Sequence, residues 1–121
     1  MRENDILHLF DEWNRALLTR DPKKIAALYD DKSILLPTIS NKVRHNRAEI
    51  EEYFVRFLAN APEGKIEEAN VRIFDHLAIN SGVYKFTFND DTIVKARFTF
   101  VYRWTGERWV ILEHHSSQMP E

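Results

Sequence analysis

The hydrophobic pattern of this chain changes period once, near Gly64, and that change limits what it can fold into. Before it, apolar residues recur every three or four positions; after it, every second position. From Asp5 to Leu18 the apolar positions Ile6, Leu7, Phe10, Trp13, Leu17 and Leu18 mark one face of an amphipathic helix. Asp21-Pro22 reads as an N-cap followed by proline at the first helical position, opening a short helix to about Tyr29. A short strand over Ser33 to Leu36 and a polar loop from Pro37 to Asn46 follow. Asn46, with Glu49 three residues on, caps a third helix that buries Ile50, Tyr53, Phe54, Phe57 and Leu58 and stops before Pro62. Beyond Gly64, strands are predicted over Ile66 to Ile79, Gly82 to Phe88, Ile93 to Trp104 and Trp109 to Ser116. Turns fall at Asn80-Ser81, Asn89-Asp90-Asp91 and Thr105-Gly106-Glu107. Connections this short make the sheet antiparallel, and helices followed by a run of strands define an α+β chain.

Composition narrows the function classes. At 121 residues the expectation is one domain spanning 1–121. Net charge is −2, from 17 basic and 19 acidic residues, which leaves no electrostatic footprint for nucleic acid or a membrane surface. Zero cysteines remove disulfides, thiolate metal sites and cysteine nucleophiles. The longest apolar runs, such as Ile34-Leu35-Leu36, are too short to span a bilayer, and the charged start Arg2-Glu3-Asn4-Asp5 lacks the apolar stretch of a signal peptide. A soluble, cytoplasmic protein is therefore expected. With glycine only at positions 64, 82 and 106, there is no glycine-rich phosphate cradle or dinucleotide motif, so no cofactor is expected. His114 and His115 are neighbours on a strand and point to opposite faces, while His8, His45 and His76 have no ligand spacing; no metal is expected.

Strand parity sorts the sheet into two faces. One set is mixed: Val83, Lys85, Thr87, Lys95, Arg97, Thr99, Val101, Trp109, Ile111, Glu113 and His115. The other is almost wholly apolar: Tyr84, Phe86, Phe88, Ala96, Phe98, Phe100, Tyr102, Val110, Leu112 and His114. Neither is a plain solvent face, and three helices cover only one. If they take the mixed face, the aromatic face is left for a second copy, with Tyr84, Phe86, Phe88, Phe98, Phe100, Tyr102 and Leu112 as the oligomer interface. In the alternative, the aromatic set forms the helix-side core and the mixed set stays at the surface.

The stretches Ala27-Leu28-Tyr29-Asp30-Asp31, Leu35-Leu36-Pro37, Tyr53-Phe54 and Phe100-Val101-Tyr102-Arg103-Trp104-Thr105-Gly106-Glu107-Arg108-Trp109 carry a family likeness. So do Ser40-Asn41-Lys42-Val43-Arg44 and the closing Glu113-His114-His115-Ser116-Ser117-Gln118-Met119-Pro120. Together they resemble the association (hub) domain of calcium/calmodulin-dependent protein kinase II, in particular its freestanding bacterial relatives, within the nuclear transport factor 2-like superfamily. The resemblance implies a cone-shaped, curved antiparallel sheet on three N-terminal helices. It also implies a homodimer formed across the sheets, and dimers that can stack into a closed ring. With no kinase segment among these residues, the expectation is a protein that is hub-like from end to end. The kinase hub has a deep pocket in which arginines hold small carboxylates. Those positions fall here on Lys85, Thr99 and His115, and Arg97 on the same face can replace one of them.

On that reading a small anion meets Arg97, Lys85, Thr99, His115 and Glu113 inside the cone, with Tyr29, Tyr53 and Trp13 projecting from the helices. A bare charge there must be paired or must await a counter-ion, so an internal Arg97–Glu113 pair that seals the cone is the bland alternative. A different class is a small isomerase, cyclase or hydratase with Glu113 or His115 as general base and Arg97 as anion stabiliser. Lys42, Arg44, His45 and Arg47 form a basic cluster, expected to be solvated or to meet acidic residues of a neighbour such as Glu51-Glu52 or Glu67-Glu68.

Overall fold

A computed structural model describes residues 2–121. Helix α1 (Glu3–Leu18) buries Ile6, Phe10, Trp13 and Leu17, one residue per turn along a single stripe. Helix α2 (Pro22–Ala26) is capped by Asp21, whose carboxylate accepts from the Lys23 backbone N–H at 2.9 Å. It ends three residues short of the sequence expectation, because Tyr29 already begins strand β1 (Tyr29–Leu36). Helix α3 (Arg47–Phe57) starts where Asn46 accepts from the Glu49 N–H at 2.9 Å, and it buries Ile50, Tyr53, Phe54 and Phe57. A single 3-10 turn, Leu58–Asn60, leads into the sheet strands β2 (Glu63–Phe74), β3 (Leu77–Thr87), β4 (Ile93–Trp104) and β5 (Trp109–Gln118).

The five strands run in the order β1-β5-β4-β3-β2. Neighbours among β2 to β5 are antiparallel as their short turns require, but β1 lies parallel to β5. The first hairpin turns at Asp75-His76, not at Asn80-Ser81; Asp75 sits at φ +50°, a left-handed conformation that aspartate tolerates better than most residues. Asn80-Ser81-Gly82 is mid-strand. Its glycine answers a close approach rather than a turn, since a Cβ on Gly82 would lie 2.0 Å from the Glu68 carbonyl oxygen, beside a bulge in β2 between Ile66 and Glu68.

The aromatic set lies beneath the helices, which corrects the expected interface. Tyr84, Phe86, Phe98, Phe100 and Tyr102 are buried in the core of the chain itself, and Phe88 packs half-buried at its margin. Trp13 is the centre: its ring stacks on Tyr84 at 6.4 Å and meets Phe86, Phe100 and His114 at 5.7–5.9 Å. Energetics select this orientation. The chain can cover one face by itself, and each large apolar group buried contributes about 1.5–3 kcal/mol, whereas Lys85, Lys95, Arg97 and Glu113 would each cost several kcal/mol if buried without a partner.

Parity also slips once on β5. A bulge falls between the Val101↔Glu113 and Tyr102↔Ile111 pairs, with Leu112 as the extra residue. Ile111 therefore joins the buried core, opposite to its parity assignment, while Leu112 is only half-buried and is no part of the aromatic face.

A buried polar relay and an exposed basic face as candidate sites

Strand register places the mixed set, apart from Trp109 and Ile111 before the bulge, on the outer face in cross-strand rows. One row is Ile34, Glu113, Val101 and Ile79; the next is Leu36, His115, Thr99 and Ser81; a third joins Ser117, Arg97 and Val83; a fourth joins Lys95, Lys85 and Lys65. Arg97, Glu113 and His115 are exposed, and Lys85 and Thr99 are half-buried. So the charged groups expected inside the cone stand outside it. Glu113 and His115 face away from the cavity and cannot serve it as a base. Among the described residues Arg97 and Glu113 form no ion pair; Lys95 pairs with Glu67 at 3.4 Å, and Arg103 with Asp30 at 2.8 Å. The Arg103 hydrogen bond holds the Asp30 carboxyl below the usual carboxylate range. Arg97, Phe98, Thr99, His115 and Ser117 line a shallow outer depression of ≈ 200 Å³.

Trp13 and Tyr53 project inward from their helices and Tyr29 from the first position of β1, and Trp13 and Tyr29 join a line of buried polar groups. Trp13 Nε1–H donates to the Tyr29 hydroxyl oxygen at 3.1 Å, and that hydroxyl lies 2.8 Å from His114 Nδ1. His114 Nε2 is 3.1 Å from the Tyr84 hydroxyl, which donates to Ser116 Oγ at 2.6 Å. Ser116 Oγ in turn bonds Thr38 Oγ1. Burial, and secondarily the neighbouring His115, lowers the His114 pKa to about 3, so its ring is neutral. Burial pushes the Tyr29 and Tyr84 hydroxyls up from their ordinary value, so both keep their protons.

The bond from Tyr84 to Ser116 sets the direction of this chain as far as Ser116. The Tyr84 hydrogen is spent there, so its oxygen accepts from His114 Nε2–H, Nδ1 of the neutral ring is the acceptor, and the Tyr29 hydroxyl, which accepts from the indole, donates to it. The neutral ring then carries its proton on Nε2 and donates to Tyr84; Tyr84 donates to Ser116, and Ser116 and Thr38 share a hydrogen bond in which either hydroxyl can be the donor. Tyr29, His114 and Tyr84 are each satisfied on both sides, which is what makes so polar a line tolerable in an apolar core. A sequence signal for it existed: His114 and Ser116 share inward parity with the aromatic set.

The relay borders a cavity of ≈ 30 Å³, room for about one water. Its walls are aromatic and aliphatic, with Thr38, His114 and Ser116 as polar points and no charged side chain. The basic cluster before α3 is not simply solvated. Arg44 is buried, its backbone bridges Leu35, and its guanidinium lies 5.1 Å from the Tyr53 ring centroid and donates to Ser40 Oγ at 2.7 Å. Arg47 donates twice to the Tyr29 carbonyl at 2.9 and 3.1 Å, and His45 lies 3.2 Å from Glu49.

Helices closed over one face of a five-stranded curved sheet, around a small lined cavity, define a nuclear transport factor 2-like α+β cone. The particular family follows from the sequence. Residues 2–120 match the model of the calcium/calmodulin dependent protein kinase II association domain, and the chain belongs to that family. A crystal structure from Xanthomonas campestris, provisionally assigned to the same association domain, is 44% identical. It covers 100% of this chain and 90% of its own, with a TM-score of 0.96. An NTF2-like protein of unknown function from Pseudomonas putida KT2440 is 21% identical over 95% of this chain and 84% of its own, TM-score 0.84. A Streptomyces avermitilis protein provisionally named a dehydratase of the NTF2-like family is 15% identical over 96% and 94%, TM-score 0.80, and at that distance shows the fold alone. No curated protein matches the chain.

Proposed function

We propose that this protein is a homo-oligomerising association domain whose copies pair through the outer faces of their sheets, and that dimers so formed can stack into larger rings. The observation that carries the reading is the uncovered outer face. Ile34, Leu36, Ile79, Val83 and Val101 lie there half-buried, with no helix over them. A stable interface of about 800 Å² per partner is within reach of five strands of this length, and apolar positions flanked by Arg97, Glu113 and His115 give the core-and-rim composition that interfaces use. The interface moves from the aromatic face to its opposite side, while self-association through the sheet is retained.

Small-anion capture, the other part of the expectation, attaches to the same outer face. Arg97, Thr99, His115 and Ser117 line a depression there, and a guanidinium suits a carboxylate. The two readings separate experimentally. Native mass by light scattering should correspond to two or more chains, and the double variant Ile79→Glu/Val101→Glu should reduce it to one chain with unchanged circular dichroism. A wild-type mass of one chain at high micromolar concentration would sink the self-association reading. Retained mass in Arg97→Ala, with loss of any acetate-induced shift, would assign Arg97 to the anion alone.

A further inference from the structure

Three side chains, Ile39, Phe88 and Val94, line both the small inner cavity and a separate outer basin of ≈ 270 Å³ that also touches Asn60, Asn89, Asp90 and Thr92. They are the partition between two chambers. Ile39 is the piece that can move: it stands on the irregular segment between β1 and α3 and is 52% exposed, whereas Phe88 belongs to the packed aromatic series through its edge contact with Phe57 at 6.0 Å. The basin alone approaches the lower bound of ordinary small-molecule sites, about 300 Å³.

The chemistry of the inner chamber is set by the relay. The hydroxyl hydrogens of Tyr29 and Tyr84 are each committed to the next acceptor, and the series ends in the Ser116–Thr38 hydroxyl pair, which lines the cavity. With Ser116 donating to Thr38, the Thr38 hydroxyl hydrogen is left for a ligand. The inner end of the site therefore offers the Thr38 hydroxyl as a donor, with the Tyr53 hydroxyl also in its wall. Nothing in the walls of either chamber is cationic, and Asp90 stands at the basin with its carboxylate held ionised by Thr92. A carboxylate entering would lose its hydration without gaining a counter-charge.

We infer that the two chambers form one gated site for a small, neutral, largely apolar molecule with a single hydrogen-bond acceptor, such as an aryl or cyclic ketone. Its oxygen accepts from Thr38 Oγ1–H, and its ring takes the place of Ile39 among Phe57, Phe86 and Phe88. This site is separate from the outer-face depression, so it stands or falls independently of self-association and of anion capture there.

Acetophenone and benzoate share a ring and differ in charge, which makes them the test pair. Titrated into the isotope-labelled full chain and followed by NMR, acetophenone should shift the backbone amides of residues 38–39, 88 and 94 saturably, with benzoate at least tenfold weaker. Thr38→Val should weaken acetophenone about 2–10-fold, the loss of one hydrogen bond, and Thr38→Ser should restore it. Ile39→Ala should tighten binding by removing the gate. Benzoate binding as well as acetophenone, no saturable shift from either probe, or an affinity indifferent to Thr38→Val in a folded variant would each overturn the inference.

Discussion

The two faces of this sheet are built from alternate residues of the same strands, yet they obey different rules. Inward, Tyr29, Tyr84 and His114 give every polar side-chain atom a partner and carry no charge. Outward, the charged Lys85, Arg97 and Glu113 stand with His115 beside half-buried Ile79, Val83 and Val101. A one-residue step along a strand thus separates groups whose replacement is costly from groups whose replacement is nearly free for the monomer. The chain spends its polar precision inside and leaves its charge for contacts outside.

The comparison breaks hardest at Trp13. Truncation to Ala removes the ring that touches Tyr84, Phe86, Phe100 and His114 and leaves the Tyr29 hydroxyl oxygen without its indole donor. Denaturant unfolding should show a loss of about 3–5 kcal/mol. Acid probes the same face more gently. The folded His114 pKa of about 3 lies below its unfolded value of 6.5, so the unfolded chain binds the proton first. Stability from this group is complete above pH 6.5 and falls by about 1.4 kcal/mol per pH unit below it, down toward pH 3. His114→Phe should flatten that slope in a pH series of thermal melts. A wild-type melt indifferent to pH between 6.5 and 4.5 would contradict a neutral buried ring.

Asn80 sharpens the contrast from the other direction. It is fully buried, and both its amide nitrogen and its oxygen lack partners among the described residues. Asn80→Leu, close in volume, should raise stability by about 1–2 kcal/mol. The smallest effect belongs outside: Arg97→Ala or Lys85→Ala should change monomer stability by no more than about 0.5 kcal/mol, read on the Ile79→Glu/Val101→Glu background so that self-association does not contribute.

Much of this architecture was legible in the residues. The stripe Ile6, Phe10, Trp13, Leu17 and the caps Asp21 and Asn46 act as their spacing predicts. Strand alternation divided the sheet into its two actual faces nearly throughout. Three features lay beyond pattern reading. Which face the helices cover is a global choice between burying rings and burying charges, and period-two alternation is silent on it. The bulge at Leu112 reverses parity without any glycine or proline to announce it. Gly82, which follows Asn80-Ser81 and so resembles turn punctuation, marks a close passage of two backbones instead. The candidate site turns on the first of these: Trp13 and Tyr53 project inward from helices and Tyr29 from the start of β1, while Arg97, Lys85, Glu113 and His115 stand on the outer side of the same sheet.

The parallel pairing of β1 with β5 sets the order in which the chain can finish folding. Among the described residues, the one strand that pairs with residues 29–36 is that made from residues 109–118, apart from the single backbone bridge of Leu35 to Arg44, and Ile111 N–H also donates to the Leu28 carbonyl at 2.9 Å. Until those last residues emerge from synthesis, α1 and α2 can form locally but the edge they lead into has nothing to join. Removing β5 would not trim a border strand; it would take out the second of five and cut β1 loose from the rest. The sheet edge that begins at Tyr29 therefore closes only once residues 109–118 are available, and a truncation before Trp109 is a matter for proteolysis rather than for partial function.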